Sequence, residues 1–183
     1  MSIRYKSAAE SRITISELML PSHSNFSGKI HGGYILSLLD QIAFACASKH
    51  SRAYCVTASV DTVDFLNPIE IGELVTMRAS INYVGRTSMV VGIRVEAENI
   101  QTGVVKHCNS SYFTMVARDD DGHSLEVDGL VLDDLTTIKR FLKALKRMEM
   151  KRKRTDEFDH EDFTPDDYMK ELEKYKVKVT YRE

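Results

Sequence analysis

The feature that most constrains this chain is an apolar segment at residues 34–47 that contains one charged residue, Asp40. Gly32 and Gly33 precede it, and its apolar side chains recur at helical spacing on more than one face. These features predict a helix from Gly32 to about residue 50, buried nearly all round. The apolar stretch is too short to span a bilayer.

Five segments around this helix have the composition or the alternation of half-buried strands. The connections between the last four are short and rich in turn residues, which favours antiparallel pairing. One helix buried on all sides needs a sheet that wraps it. The sequence therefore predicts an α+β fold, with a curved antiparallel sheet around a long central helix, in a chain that dimerises edge to edge. The predicted strands are residues 12–21, 54–65, 74–84, 89–97 and 104–116.

The character of the chain changes after residue 135. Residues 137–148 have the pattern of an amphipathic helix, which continues into the basic run 151–154 and then a highly charged tail. We therefore divide the chain into a folded domain at residues 1–135 and a charged helical extension at residues 136–183.

Charge and cysteine content exclude several classes of protein. The formal net charge is −2, which gives no reason to expect nucleic acid or an anionic membrane as a partner. Three cysteines match neither a zinc site nor a redox pair. The first twelve residues lack the apolar core of a signal peptide. These observations predict a soluble cytoplasmic protein with free thiols and no metal.

Asp40 has both a structural and a functional interpretation. A carboxylate in a buried helix either is satisfied by polar partners or marks a site. Backbone amides at Gly32 and Gly33 favour negative charge at the helix start and can polarise a carbonyl oxygen, although glycine there also serves close packing. Asp40 lies about two turns further on, roughly 10 Å by helical rise. That is far for groups acting on one carbon, and a site shared between two protomers would remove the difficulty.

Three segments carry a resemblance to a known family. They are the pattern N-x-x-G-x-x-x-G-G-x-x-L-x-x-x-D from Asn25 to Asp40, the run VTASVDTVDFLNPIEIGELV at 56–75, and VGRTSMVVGIRV at 84–95. Together they resemble the acyl-CoA hydrolase branch of the hotdog-fold thioesterases, over roughly residues 12–150.

This resemblance implies the hydrolysis of acyl-CoA thioesters. Asp40 would act as general base or nucleophile, Asn25 would position water or substrate, and the amide of Gly33 would polarise the thioester carbonyl. The site would lie between two protomers of a homo-oligomer, either a dimer or a trimer of dimers. No cofactor is implied, because coenzyme A enters as part of the substrate.

Further residues are candidates for substrate binding, each with a plainer alternative. His31 is a loop residue beside the glycines, Thr57 and Ser59 can simply face a strand neighbour, and a basic run is often a solvated helix face or a nuclear localisation signal. By resemblance the 84–95 segment contacts coenzyme A, and the basic run would supply cations to its 3′-phosphate. The candidates are Gly32, His31, Thr57, Ser59, Arg86, Thr87, Ser88, Lys151 and Arg152.

Two other functions stay open on the sequence. A hotdog hydratase or dehydratase would use a histidine with an acid, which His31 and Asp40 allow. An acyl-CoA sensor would bind without turnover, but such proteins usually carry a DNA-binding module, and the residues before position 12 show no helix-turn-helix. Release of free thiol from acyl-CoA separates these three functions.

Overall fold

The structure is a computed structural model that describes residues 4–159, 169, 172, 174–178 and 180. It has the predicted order of strand, central helix and four strands, with short additional elements at both ends. The strands are β1 (Tyr5–Ser7), β2 (Ile13–Leu18), β3 (Tyr54–Val60), β4 (Glu73–Val84), β5 (Ser88–Asn99), β6 (Val104–Arg118) and β7 (Gly129–Val131), and the helices are α1 (Ala8–Ser11), α2 (Gly32–Ser51) and α3 (Leu135–Asp159).

Five strands form one antiparallel sheet in the order β2-β4-β5-β6-β3. The sheet curls around α2, which contacts all five strands. This arrangement confirms the predicted α+β class and the helix-wrapping sheet. β2 and β3 are the two edges of the sheet, so β3 has one side of its backbone unpaired within the described chain.

The core lies between α2 and the concave face of the sheet. Ile35, Leu39 and Ile42 of α2 are fully buried there, as are the alternate positions of β4 and β5 that begin at Val75 and Met89. Burying one such aliphatic side chain contributes about 1.5–3 kcal/mol, so the helix and the sheet stabilise each other.

The prediction that α2 is buried nearly all round is wrong. Leu36 and Phe44 keep 38% and 39% of their surface exposed, and Asp40 between them is exposed as well. Ala43 and Ala47, about one and two helical turns after Asp40, are buried. The reason is geometric, because a single curved sheet covers only one side of a helix.

The strand β3 is shorter than predicted and ends at Val60 instead of residue 65. A bulge between Thr57 and Ser59 interrupts its pairing with β6. Beyond it the chain stays tethered to β6 without regular pairing, because the Leu66 N–H donates to the Cys108 carbonyl (2.9 Å) and the Asn109 amide donates to the Asp64 carbonyl (2.9 Å).

The predicted C-terminal helix is confirmed as α3. The Asp134 carboxylate accepts from the Thr137 N–H (2.6 Å) and caps its start, while Phe141 packs on Tyr83 with ring centroids 5.2 Å apart. Contacts divide the chain into two compact units, Met1–Leu145 and Lys146–Glu183.

The boundary that we placed after residue 135 stays a prediction, and most of the charged tail beyond residue 159 lies outside the described residues. None of the described helices is long and apolar enough to cross a membrane.

Candidate active site

Asp40 and Thr57 come together where α2 faces the edge strand β3. The Thr57 hydroxyl donates to Oδ1 of Asp40 at 2.6 Å and also lies 3.4 Å from the sulfur of Met115 on β6. Both Asp40 and Thr57 are exposed. The carboxylate is therefore held in place by a hydroxyl and remains open to water or a ligand.

This pair opens into a cleft of about 480 Å³ between α2 and the β3 edge. Phe44 and Tyr54 form one wall, with their rings edge to face and centroids 5.7 Å apart. An exposed carboxylate beside aromatic surface suits a substrate that has a polar reacting group and an apolar chain. The cleft is lined by Asp40, Gln41, Phe44, Tyr54, Cys55, Val56, Thr57 and Met115.

Sequence reasoning missed most of these lining residues. Phe44 lies one helical turn after Asp40, so helical spacing was a usable signal for it. Tyr54 and Met115 reach the cleft through the pairing of β3 with β6, and nothing in the sequence around them marks that position.

The start of α2 is capped by His31. Its Nδ1 accepts a hydrogen bond from the Gly33 N–H at 2.9 Å, so Nδ1 carries no proton in this arrangement. The expectation that the Gly33 amide is open to a ligand is therefore not met in this conformation. His31, expected to be a flanking loop residue, is an N-cap whose ring must move before that amide can bind a carbonyl oxygen.

Gly32 lies against an aromatic ring. A Cβ added at Gly32 would meet the Phe65 ring at 3.4 Å, which shows how closely Phe65 approaches the helix backbone. This close packing is the structural alternative that the sequence left open for the glycine pair.

Asn25 organises the loop before α2. Its Oδ1 accepts from the Ser27 N–H (2.9 Å), the Ser27 hydroxyl (2.7 Å) and the Lys29 N–H (3.1 Å). Within residues 4–159 Asn25 and Asp40 form no hydrogen bond with each other. The loop carries Phe26 fully exposed at its tip. The single chain therefore brings Thr57, but not Asn25, to Asp40.

The other predicted residues on the strands lie apart from the cleft. Ser59 follows the bulge in β3, pairs with Thr114 and is not part of the cleft lining. Arg86, Thr87 and Ser88 form the β4–β5 turn, which the Gly85 N–H closes by donating to the Ser88 carbonyl (2.8 Å).

Arg86 is exposed on this turn. Its Nη1 lies 3.7 Å from Oε1 of Glu126, a long and solvent-exposed ion pair that leaves the guanidinium accessible to another anion. A cavity of about 410 Å³ lies between this turn and residues 126–132. The backbone carbonyls of Arg86 and Thr87 are occupied, because they accept from the Val127 and Ala117 amides.

Lys151 and Arg152 lie on the part of α3 that belongs to the second unit. Nε of Arg152 lies 3.9 Å from Oδ2 of Asp156, one turn along the same helix. Their predicted role toward the 3′-phosphate stays a prediction.

One group of described residues has the donors for a metal ion. Ligand atoms of Asp119, Asp121 and His123, in the loop after β6, all lie within 4.8 Å of one another. The three are largely solvent-exposed, and acidic turns of this kind are common without an ion.

Comparisons with known proteins agree with this architecture. The family model of the thioesterase superfamily matches residues 27–104 of this chain. Protein VdlD of Helicobacter pylori is 42% identical over 144 residues, covering 79% of this chain and 82% of its own length. A solved apo-hexameric acyl-CoA thioesterase superposes with a TM-score of 0.81 and 33% identity, covering 84% of this chain and 98% of the other.

An acyl-CoA hydrolase from Staphylococcus aureus, solved with butyryl coenzyme A, coenzyme A and coenzyme A disulfide, gives a TM-score of 0.78. It is 32% identical and covers 85% of this chain and 94% of its own. The likeness spans sequence, fold and nearly the full length of these relatives, and the chain belongs to the acyl-CoA hydrolases of the hotdog-fold thioesterase superfamily.

Proposed function

We propose that the protein hydrolyses acyl-CoA thioesters to a free carboxylic acid and coenzyme A, with Asp40 as its principal catalytic residue. The observation that carries this proposal is the exposed Asp40 carboxylate, oriented by Thr57 and facing an open cleft with aromatic walls. A positioned carboxylate beside a substrate cleft is what general-base or nucleophilic catalysis requires.

Solved variants of a relative support this assignment. Structures of the Staphylococcus aureus hydrolase include alanine substitutions of one asparagine, one aspartate and one threonine. The three substituted positions have the same separations along that chain as Asn25, Asp40 and Thr57 have here. We therefore assign to Asn25 a supporting role in placing water or the thioester.

Two routes lead to the same products. As a base, Asp40 takes a proton from water while the water oxygen bonds to the thioester carbon. The C–S bond then breaks and the coenzyme A thiolate takes up a proton. As a nucleophile, the Asp40 oxygen bonds to the acyl carbon and expels the thiolate, and water then hydrolyses the acyl anhydride. Both routes consume one water and need no metal or cofactor.

The amide of Gly33 is proposed to stabilise the oxyanion that forms in either route. In the described conformation this N–H donates to His31 Nδ1. The substrate carbonyl must therefore displace the imidazole, and an oxyanion, being the better acceptor, competes more strongly than the ground-state carbonyl.

A second copy of the chain is proposed to complete the site. The open face of α2 presents Leu36 and Phe44, and the adjacent edge of β3 has backbone groups that no described strand pairs with. An isolated chain would therefore expose an apolar, aggregation-prone surface. Pairing of β3 with β3 of the second copy would cover both. It would also bring Asn25 and the Gly33 amide of one protomer toward Asp40 of the other. Three such dimers would make the hexamer for which a relative is named.

The nucleotide end of coenzyme A is proposed to contact the β4–β5 turn at Arg86, Thr87 and Ser88. The Arg86 guanidinium is exposed, and within the described part of the chain its one ion pair is the long contact with Glu126, so it can exchange Glu126 for a phosphate. Lys151 and Arg152 are proposed to add cations for the 3′-phosphate. Substituting both by alanine should raise KM for acyl-CoA and leave KM for acyl-pantetheine, which lacks the nucleotide, unchanged.

The decisive experiment is a thiol-release assay on butyryl-CoA and on longer acyl-CoA substrates. Wild type should release coenzyme A, Asp40→Asn should not, and Gln41→Ala, which alters the same cleft without removing a carboxylate, should remain active. Binding of acyl-CoA without thiol release would instead identify a sensor. Formation of a hydroxyacyl or enoyl thioester without free thiol would identify a hydratase or dehydratase. Single turnover in ¹⁸O-water tests the nucleophilic route, because ¹⁸O enters the Asp40 carboxylate only when water attacks Cγ of Asp40 in the acyl anhydride, whereas the base route places all ¹⁸O in the released acid.

A further inference from the structure

The first half of helix α3 is anchored on the rest of the fold by one of its faces. Thr137 and Ala144 are buried, and Phe141 between them packs on Tyr83. The three helix residues have the spacing i, i+4 and i+7, so they form one row along the helix. This anchoring determines which sides of the helix face away from the fold.

A second row on the same helix is apolar and exposed. Leu135, Ile138 and Leu142, here called the apolar row, keep 74%, 37% and 58% of their surface exposed. Their spacing of i, i+3 and i+7 places them on one face. Val131 and Leu132, which lead into the helix, are exposed as well. A contiguous set of exposed apolar side chains is typical of a surface that binds a partner, unlike apolar residues scattered singly.

Lysine side chains flank the apolar row. Lys139 and Lys143 are exposed, and they follow Ile138 and Leu142 directly, about 100° further round the helix. Residues 135–147 contain five lysines and arginines and no acidic residue. The apolar row therefore lies beside a row of cations with no carboxylate in the same stretch of sequence.

The positive charge of this protein is concentrated on α3. Residues 139–154 contain nine lysines and arginines and one glutamate, which gives a net charge of +8. The whole chain has a net charge of −2, so the remaining residues together carry −10. The low net charge that gave no reason to expect an anionic membrane is therefore an average, and it conceals one strongly basic amphipathic segment.

Charge and apolarity together indicate the kind of partner. A nucleic acid presents a phosphate backbone, which would contact the lysines but would leave the apolar row in water. A second copy of α3 would cover the apolar row but would bring two segments of net charge +8 together, and like charges repel. An anionic lipid surface offers acyl chains to the apolar row and phosphates to the lysines, whose long stems allow the ammonium groups to reach the headgroups.

We propose that α3 binds the surface of an anionic lipid bilayer, with the helix axis in the plane of the membrane. The apolar row enters the boundary between headgroups and acyl chains, and Lys139 and Lys143 contact the anionic headgroups. Long-chain acyl-CoA also partitions into bilayers through its acyl chain, so binding brings the enzyme to a surface where such a substrate collects. This last consequence rests on the proposed hydrolase activity, whereas membrane binding itself does not.

Cosedimentation of the full-length protein with lipid vesicles tests the proposal. Vesicles of phosphatidylcholine alone are compared with vesicles that also contain phosphatidylglycerol. We expect the protein to sediment with the anionic vesicles and only weakly with the neutral ones. Binding should decrease from 0.1 M to 1 M salt, because the screening length falls from about 10 Å to about 3 Å.

A pair of double variants tests the apolar row. Leu135→Ser with Leu142→Ser keeps every charge and should weaken binding to anionic vesicles by about tenfold or more, because two leucines no longer enter the lipid. Ile100→Ser with Val104→Ser is the matched control, since these residues are 57% and 63% exposed at the β5–β6 turn. This control should bind as wild type does.

A pair of lysine variants tests the electrostatic part. Lys143→Ala should weaken binding to anionic vesicles by about fivefold, as expected for one cation near a charged membrane, and should not change binding to neutral vesicles. Lys49→Ala removes one exposed cation from α2 and should have no effect. Thermal unfolding of each variant shows whether it is folded.

Three results would overturn the proposal. One is wild-type protein that does not sediment with anionic vesicles. Another is binding that is equal for neutral and anionic vesicles, or unchanged in folded variants of the apolar row. The third is a serine variant that changes the oligomeric state while wild type binds no vesicles, because the apolar row would then be a contact between copies of the chain. Since vesicle binding is measured without turnover, failure of the hydrolase assignment would leave these results interpretable.

Discussion

The Thr57 hydroxyl donates to Oδ1 of Asp40 at 2.6 Å and ties the central helix to the edge strand. The bond occupies one carboxylate oxygen and leaves the other to act on water or on the acyl carbon. Thr57→Val should therefore lower kcat by about tenfold or more, as expected when a catalytic base loses its orientation. Thr57→Ser keeps the hydroxyl and should retain most activity. Equal kcat values for the two variants would show that the hydrogen bond plays no part in catalysis.

Removal of the carboxylate itself should have a larger effect on rate than on stability. Asp40→Ala should reduce kcat by about 10² or more. The free energy of unfolding should change by less than about 0.5 kcal/mol, because Asp40 is exposed. Steady-state kinetics and urea unfolding measure the two quantities. Near-normal turnover by the folded variant would contradict the proposed mechanism.

The cap at the start of α2 predicts a coupling between two substitutions. A Cβ at Gly33 would lie 2.9 Å from Cε1 of His31, so Gly33→Ala should destabilise the protein by forcing the ring off the amide, at a cost of about 1 kcal/mol for a lost cap. In a His31→Ser background, where a smaller side chain can cap the helix, the same substitution should cost less. A double-mutant cycle by urea unfolding measures the difference, and strict additivity would mean that the two residues do not interact.

The fold was predictable because its main elements are long and periodic. The alternation of β4 and β5 and the helical spacing of the apolar residues in α2 fix the element types without tertiary information. β1 and β7 were not foreseen, since each pairs over only three residues, too few to show a period.

The sequence named Asp40 and Thr57, which the structure brings into contact, but it did not predict the surroundings of this pair. The family pattern identified Asp40, and the sequence suggested a buried carboxylate because its neighbours are apolar. Which face of α2 is left open depends on how far the sheet curls, and that is a property of the whole fold. The pairing of Thr57 with Asp40 likewise depends on the bulge in β3, and the His31 cap depends on where the helix begins.

The last prediction concerns His50 near the end of α2. Its side chain is buried, Nδ1 has no hydrogen-bond partner among the described residues, and Nε2 lies 3.0 Å from the carbonyl oxygen of Asp128. A carbonyl oxygen only accepts hydrogen bonds, so Nε2 must be the donor. In the neutral imidazole the proton is therefore on Nε2. Burial lowers the pKa of His50 below its ordinary value of 6.5, and the nearby Lys6 ammonium acts in the same direction against the opposing hydrogen bond to Asp128.

Because the folded state resists protonation of His50, the unfolded state takes up a proton first as the pH falls below about 6.5. The free energy of unfolding should therefore decrease from pH 6.5 downward, by at most about 1.4 kcal/mol per pH unit for one proton, and this contribution should be absent above pH 7. The ion pair of Asp128 with Lys6 affects the free energy of unfolding only at lower pH, because the hydrogen bond from Lys6 holds the pKa of the Asp128 carboxyl below its ordinary value of 3.8. Urea unfolding between pH 4.5 and 8 measures the slope. His50→Gln removes the titrating group, keeps an N–H donor and should flatten the profile, whereas an identical slope in this variant would assign the pH dependence to other residues.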